Sequence, residues 1–265
     1  MRYLISGASS SLARAIAQEL LGRGHERTLV GRKSQPTFDF SNLEKNLPEL
    51  FENYDVFLHL AHSFEKQATP DLNQNAADVI INCLDQPSSR IRKCIFISSE
   101  SASALARSQY GKSKYRTEQV FLKSKRSTIL RVGIIQDANI DSPYHKLKNF
   151  VKKTGVLVFP RLKSKIFTVT TVNGICDNIE KIVAMDLTGG PFCNQNPNFK
   201  KSILEVLEDD KIEMRIVFNI PTKVIETFIH GGKRFRSIRR VADSLASVLT
   251  DPETCQEIPE SEPIK

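Results

Sequence analysis

The chain has 265 residues and a formal net charge of +8 at pH 7, with 40% hydrophobic and 26% charged residues. These proportions are those of an ordinary globular protein, and the length allows one domain with a smaller appended region. No apolar run reaches the ~20 residues of a membrane helix, and the N-terminus lacks the features of a secretion signal. We therefore expect a cytoplasmic protein without membrane insertion.

The hydrophobic pattern of the first half alternates between strands and helices. Residues 1–6 predict a strand, followed by "GASSS" and an amphipathic helix whose Leu12, Ile16 and Leu20 share one face. Further strands are predicted at "RTLVG", "DVFLHLA", "KCIFISS" and "STILRVGII", and further helices at "AADVIINCLDQ" and "YGKSKYRTEQVFLKS". This alternation predicts an α/β fold with a Rossmann-type, doubly wound parallel sheet.

The pattern weakens after about Ile140. Helices are predicted at "SPYHKLKNFVKKTG", "VNGICDNIEKIVAMDL", "SILEVLEDD" and "IPTKVIETFIHGG", and strands at "VLVFP" and "IFTVTTV". We predict a dinucleotide-binding domain over 1–139 and a smaller α/β substrate-binding cap over 140–250, some of whose elements return to the sheet. Residues 251–265 are predicted to form a mobile acidic tail.

Cysteine and histidine positions argue against a metal site. The cysteines are scattered, odd in number and without a C-x-x-C motif, so neither a disulfide framework nor a zinc site is expected. His59 and His62 lie three apart in "HLAH", which sends them to opposite sides of a strand. Buried or pocket-lining histidines are the better interpretation.

Charge is distributed unevenly along the chain. The last fifteen residues carry a net −4, which leaves +12 for the first 250 because the whole chain carries +8. Solvated helix faces account for most basic clusters, and the alternative is attraction of a small ligand that carries phosphates. Specific nucleic-acid binding is not expected, because zinc-finger spacing and an aromatic RNA-binding signature are both lacking.

The segment "GASSSLA" follows a strand and opens a helix, as a dinucleotide-binding fingerprint does. Gly7 allows the tight turn, and the helix N-terminus offers free N–H groups to a pyrophosphate. Small residues (Ser10, Ser11 and Ala13) stand where further glycines are expected. The motif is weakened, but a close approach of the cofactor is still possible.

A tyrosine and a lysine, Tyr110 and Lys114, lie four positions apart in "YGKSK". On a helix they share one face, and a cation ~4 Å from a phenol is worth roughly three pKa units. Tyr144 and Lys148 in "YHKLK" repeat the spacing. The spacing alone therefore does not identify a site.

Seven segments over residues 1–135, in order, resemble the extended short-chain dehydrogenase/reductase family, in its NAD-dependent epimerase/dehydratase branch: "GASSSLA", "GR", "DFSN", "HLAH", "CIFISS", "YGKSK" and "LRVG". The resemblance continues weakly in "IFTVTTVNGICDNI" and "RRVADSLASVLTD". It implies that Ser99 holds the substrate oxygen, Tyr110 transfers its proton, and Lys114 anchors the nicotinamide ribose while acidifying Tyr110. Tyr144 and Lys148 are then a coincidence on the cap.

The same resemblance implies where a cofactor binds. Its contacts are expected from Gly7, Ser9, Ser10, Ser11, Leu12, Arg32, Asp39, Phe40, Leu60, Ala61, His62, Tyr110, Lys114 and Gly133. A further family asparagine matches Asn75. Arg32 and Lys33 follow the second strand, where NAD-specific proteins carry an acidic residue, so NADP(H) is favoured and NAD(H) is the alternative.

The resemblance also narrows the reaction. The family's sugar dehydratases place Asp-Glu after the catalytic Ser or Thr, whereas this chain has Glu100 and Ser101 there; many epimerases carry an asparagine where this chain has Ile134. The implied function is therefore NAD(P)H-dependent reduction of a 4-keto nucleotide-sugar in polysaccharide biosynthesis. A homodimer is expected, paired through the helices around 73–86 and 110–125. Alternatives are an epimerase with the same site, or an NADP(H)-binding regulatory or scaffold protein without turnover.

Overall fold

The computed structural model describes residues 1–40, 42–64, 72–137, 140–160, 166–193, 200–214, 216–220 and 255–258. The strands in these ranges are β1 (Arg2–Ser6), β2 (Glu26–Val30), β3 (Val56–His59), β4 (Lys93–Ser99), β5 (Ser127–Val132), β6 (Ile134–Ile135), β7 (Val156–Pro160), β8 (Ile166–Thr170), β9 (Gly189–Cys193), β10 (Lys200–Ser202), β11 (Ile216–Ile220) and β12 (Gln256–Glu257). The helices are α1 (Ser11–Gly22), α2 (Leu43–Phe51), α3 (Leu72–Leu84), α4 (Gln109–Phe121), α5 (Pro143–Thr154), α6 (Val172–Ala184) and α7 (Ile203–Asp209).

The main sheet has seven parallel strands in the order β2-β1-β3-β4-β5-β9-β12. The chain leaves β1 for β2 on one side and returns to β3 on the other, so β1 and β3 flank the topological switch point, where ligands of such sheets bind. The predicted Rossmann-type fold is confirmed.

Helices cover both faces of this sheet. On one face, α2, α3 and α4 bury Leu47, Ile80 and Phe121. On the other, α1 and α6 bury Ile16 and Ile179. The strands are thus apolar on both sides, which explains the continuous hydrophobic runs in their sequences.

A smaller region lies beside the main sheet. It contains a three-stranded sheet in the order β10-β8-β6 and the parallel pair β7 and β11. Helices α5 and α7 pack over a separate core that includes Val151, Leu157, Val169 and Val206. Two elements of the range 140–250 instead join the main domain: α6 packs on α1, and β9 pairs with β5. Residues 221–254, which include "RRVADSLASVL" and most of another predicted helix, lie outside the described residues, and the boundaries at 139 and 250 stay a prediction.

The sequence predicted no disulfide framework, and it did not indicate the disulfide that Cys193 and Cys255 form. Their Cα atoms are 5.6 Å apart across the neighbouring strands β9 and β12, although 62 residues separate them in the sequence. The mobile acidic tail over 251–265 stays a prediction, although within that range β12 pairs with Phe192 and Cys193. Residues 251–254 and 259–265 lie outside the described residues.

Neither a membrane span nor a metal cluster is found in the part of the chain that the structure describes. No helix there is long and apolar enough to cross a membrane. No group of three or more His, Cys, Asp or Glu side chains there could hold a metal ion.

Candidate active site

The loops after β1 and β3 meet at the switch point. Gly7 has φ +94°, and a Cβ on it would lie 3.1 Å from the backbone nitrogen of Ala61. The N–H groups of Gly7 and Ala8 both donate to the Val30 carbonyl at the end of β2, at 2.9 and 3.1 Å. Only glycine allows both the backbone conformation and the close approach of the second loop.

A buried hydrogen-bond network fixes the loop after β3. The Ser6 hydroxyl oxygen accepts the N–H groups of Leu60 and Ala61 at 3.1 and 3.2 Å, so its own proton is available for His59 Nδ1 at 2.9 Å. His59 is therefore neutral with its proton on Nε2. Burial, aided by Lys114, lowers the pKa of His59 to about 3.

Four predicted cofactor residues lie in the first loop or the first turn of α1: Ser9, Ser10, Ser11 and Leu12. Ser10 caps the helix, and Ser11 accepts the backbone N–H of Asp141 at 2.9 Å. Arg14 donates from its guanidinium to the carbonyl oxygens of Ala8 and Ser9 at 3.2 and 3.0 Å. This helix start has a nearby cation and no acid in its first turn, so it fits the pyrophosphate of a dinucleotide.

The predicted adenosine-side residues lie at the same edge of the sheet, after β2. Arg32 is exposed in the turn that follows this strand, and the Phe38 N–H returns to the Gly31 carbonyl at 3.0 Å. Asp39 and Phe40 come next, with the Phe40 ring packed against the core on the α2–α4 face. The turn therefore carries an exposed cation directly after β2.

The start of α4 is packed closely against the loop after β4. Ser108 caps the helix by accepting the Gly111 N–H at 2.9 Å. A Cβ on Gly111 would lie 2.3 Å from the Ser101 carbonyl oxygen, so this glycine is required despite costing a helix about 1 kcal/mol. Ser101 donates its N–H to the Ser99 hydroxyl at 3.2 Å, and the two hydroxyls are 3.0 Å apart. The loop that follows Ser99 is thus in close contact with the start of α4, which carries Tyr110.

Lys114 lies in the interior, one turn beyond Tyr110. Its side chain is 3% exposed, donates to the Ile97 carbonyl at 2.9 Å, and places Nζ 4.5 Å from the centre of the Phe96 ring. Burial lowers its pKa to about 7, against the opposing charge of Glu118. Burial also raises the pKa of Tyr110 to about 12. The acidification of Tyr110 by Lys114 stays a prediction, because burial alone accounts for the direction of the Tyr110 pKa.

The acid nearest to Lys114 along α4 is bound elsewhere. Glu118 accepts two hydrogen bonds from Arg131 on β5, at 2.8 and 2.6 Å. Both side chains are 1% exposed. This bidentate ion pair connects α4 to β5, and it pairs the Glu118 carboxylate with Arg131 rather than with Lys114.

Two aromatic residues of the loop after β3 contact Tyr110. The His62 ring stands edge-on to it, with centroids 5.1 Å apart. Phe64 lies parallel to it at 5.9 Å, with an interplanar angle of 12°. The sequence predicted a cofactor contact for His62 and no role for Phe64. The one feature that could have indicated Phe64 is its position two residues after "HLAH".

Asn73, rather than Asn75, has the buried position in α3. Its amide oxygen accepts the Ser63 N–H at 2.8 Å, and its amide nitrogen donates to the Ser63 carbonyl at 3.1 Å and to Ser113 at 3.2 Å. Asn75 is exposed. The match of Asn75 to a family asparagine stays a prediction, and the structure adds Asn73 as the buried, hydrogen-bonded asparagine of "LNQN".

Gly133 and Glu100 lie where the smaller region contacts the main sheet. A Cβ on Gly133 would lie 2.0 Å from the Thr168 carbonyl oxygen of β8. Burial raises the pKa of Glu100, although hydrogen bonds from Thr168 act in the opposite direction. Gly133, a predicted cofactor residue, and Glu100, which was not predicted to bind the cofactor, therefore both contact β8.

The second tyrosine–lysine pair forms an unrelated cluster. Tyr144 donates to Asp210 at 2.5 Å, Lys148 lies 2.8 Å from the same carboxylate, and Gln136 donates to it at 3.2 Å. Burial acts to raise the pKa of Asp210, but these three donors outweigh it, so that pKa lies below its usual value. This cluster holds α5 against the end of α7.

No family model and no curated protein sequence matches this chain. Solved structures do share its fold. A nucleoside-diphosphate-sugar epimerase from Staphylococcus aureus has a TM-score of 0.68 at 14% identity, over 96% of this chain and 93% of that one. A UDP-glucuronic acid 4-epimerase from Bacillus cereus in complex with NAD gives 0.65 at 15% identity, over 83% and 86%.

A reductase shares the fold as well. A dTDP-4-dehydrorhamnose reductase from Clostridium acetobutylicum has a TM-score of 0.63 at 16% identity, over 83% of each chain. This chain therefore shares its fold with nucleotide-sugar epimerases and a dTDP-4-dehydrorhamnose reductase, in agreement with the Rossmann-type fold predicted from the sequence.

Proposed function

We propose that this protein is an NADPH-dependent reductase of a keto group, acting on a 4-keto nucleotide-sugar in polysaccharide synthesis. The observation that supports the proposal is that Lys114 Nζ lies 5.9 Å from the centre of the Tyr110 ring, on a helix whose start packs on the loop after Ser99. Lys114 reaches the Ile97 carbonyl two residues before Ser99, so the three side chains approach the same edge. The reductase and epimerases that share the fold act on sugar nucleotides according to their names, and this supports the substrate class.

The charge states suit reduction. A phenol with its pKa raised to about 12 is protonated at neutral pH, so Tyr110 can donate a proton to a keto oxygen. The Ser99 hydroxyl would hold that oxygen. Lys114, with its pKa lowered to about 7, is the stronger acid and can return a proton to the Tyr110 phenolate. The nicotinamide, when bound, supplies the hydride that adds to the carbonyl carbon.

NADPH is the proposed cofactor because Arg32 is exposed directly after β2, where a guanidinium can pair with a 2′-phosphate. Titration of both cofactors by fluorescence tests this. NADPH should bind more tightly than NADH, and Arg32→Ala should remove most of the difference. Equal affinities for the wild-type protein, or an unchanged NADPH affinity in Arg32→Ala, would contradict the assignment. The homodimer stays a prediction.

A nucleotide-sugar epimerase is the second candidate, favoured by the names of two of the structures that share the fold. The two reactions are distinguished by cofactor consumption. Incubation with a panel of 4-keto and 4-hydroxy nucleotide-sugars should give one NADPH oxidised for each keto group reduced. Interconversion of two 4-hydroxy sugars without net NADPH oxidation would favour the epimerase. If neither reaction is observed, the NADP(H)-binding protein without turnover is favoured.

A further inference from the structure

Three aromatic rings form a cluster on one flank of the proposed site. Phe64 and Tyr110 are parallel, with an interplanar angle of 12°. His62 stands edge-on to both, at 75° to Phe64 with centroids 4.7 Å apart, and at 78° to Tyr110. The loop after β3 thus contributes two rings that contact the proposed proton donor of α4.

We propose that Phe64 is a positioning residue for Tyr110. With His62 it fixes the plane of the phenol and keeps water from that flank of the ring. This inference rests on the proposed function, in which Tyr110 donates the proton. Phe64 itself is not proposed to touch the reacting atoms.

The exposure of Phe64 supports this role. The residue is 76% exposed, so it adds little to the hydrophobic core, and burial does not explain a large aromatic side chain there. Its ring contacts among the described residues are with His62 and Tyr110. Phe150 of α5, which is 50% exposed, makes no ring contact within those residues and provides a matched control.

The backbone of this loop is held firmly enough to place the rings. Asn73 holds both the N–H and the carbonyl of Ser63, between His62 and Phe64. Asn73 also donates to Ser113 of α4, one residue before Lys114. The loop is therefore anchored to the helix that carries Tyr110, and the contact between Phe64 and Tyr110 joins two parts already fixed relative to each other.

Water access to the ring has a measurable consequence. Burial is what raises the pKa of Tyr110, so admitting water beside the ring should lower it. Phe64→Leu removes the stacked ring but retains an apolar side chain at an exposed position, where the fold does not depend on it. Phe64→Tyr keeps the stack and serves as the conservative variant.

The first readout needs no substrate. In protein with tyrosine labelled by carbon-13 at Cζ, the Tyr110 resonance is assigned by its loss in Tyr110→Phe. Its titration should shift to lower pH by about one unit in Phe64→Leu, and should stay unchanged in Phe64→Tyr and Phe150→Leu. An unchanged Tyr110 titration in Phe64→Leu would overturn the proposal.

The second readout is kinetic, with NADPH and a working keto substrate. Phe64→Leu should lower kcat by roughly tenfold through a less well-oriented donor, while the Kd for NADPH changes less than about twofold. Phe64→Tyr and Phe150→Leu should both have the kcat of the wild-type protein. Loss of NADPH affinity without loss of kcat would show a binding role instead. Failure of the proposed function has a different signature, namely full turnover in Tyr110→Phe.

Discussion

Tyr110 and Lys114 on α4 and Tyr144 and Lys148 on α5 have the same spacing in opposite environments. On α5 both side chains converge on the carboxylate of Asp210. On α4, Lys114 donates to a backbone carbonyl, and Glu118 is bound by Arg131 on β5. The position of the acid therefore distinguishes a structural cluster from the pair that we propose to exchange protons. Three experiments test this difference.

The largest expected effect is on turnover. Tyr110→Phe removes the proposed proton donor but keeps the ring, so reduction should fall by roughly 10²–10⁴-fold while NADPH binding stays nearly unchanged. Tyr144→Phe should change turnover little, because its hydroxyl is bound to Asp210. NADPH oxidation and cofactor titration on both variants provide the measurement. A dead Tyr144→Phe enzyme beside an active Tyr110→Phe enzyme would place the site on α5.

The next effect is on stability and concerns the two acids. Glu118→Gln leaves the Arg131 guanidinium buried without its charge partner, which should cost about 3–5 kcal/mol of unfolding free energy. Asp210→Asn breaks a more exposed pair and should cost about 1 kcal/mol. Urea unfolding with unchanged m-values measures both. Equal losses would show that the two acids play equivalent structural roles.

The smallest effect is a pH dependence. Unfolded Lys114 keeps its proton up to its ordinary pKa of 10.5, whereas the folded protein releases it near pH 7. The unfolded state then binds more protons between these values, so the free energy of unfolding should rise by about 2 kcal/mol from pH 7 to 9. Lys114→Met should lose this rise, whereas Lys148→Met leaves Lys114 in place and should keep it. A wild-type slope in Lys114→Met would mean that Lys114 is not the titrating group.

Local patterns determined much of the main domain. Continuous apolar runs predicted the parallel strands, because strands covered on both faces need apolar residues at every position. Ser10 and Gly7 could be identified from the strand–turn–helix setting of "GASSSLA", since cap and turn chemistry depends on a few adjacent residues. The order of the motifs also selected Tyr110 over Tyr144 as the candidate catalytic tyrosine, because Tyr110 follows the strand that ends at Ser99.

Contacts between distant segments were decided only by the tertiary structure. The strand β9 has the sequence "GGPFC", which carries no strand signal, and it forms because β5 offers an unpaired edge. The Cys193–Cys255 bond and the hydrogen bonds of Asn73 likewise depend on which elements become neighbours. The contact of Phe64 with Tyr110 joins a loop and a helix across 46 positions of sequence, and no local propensity encodes such a contact. The sequence by itself therefore determined most elements of the first half and the tyrosine–lysine pair, and the packing determined which charges and rings surround that pair.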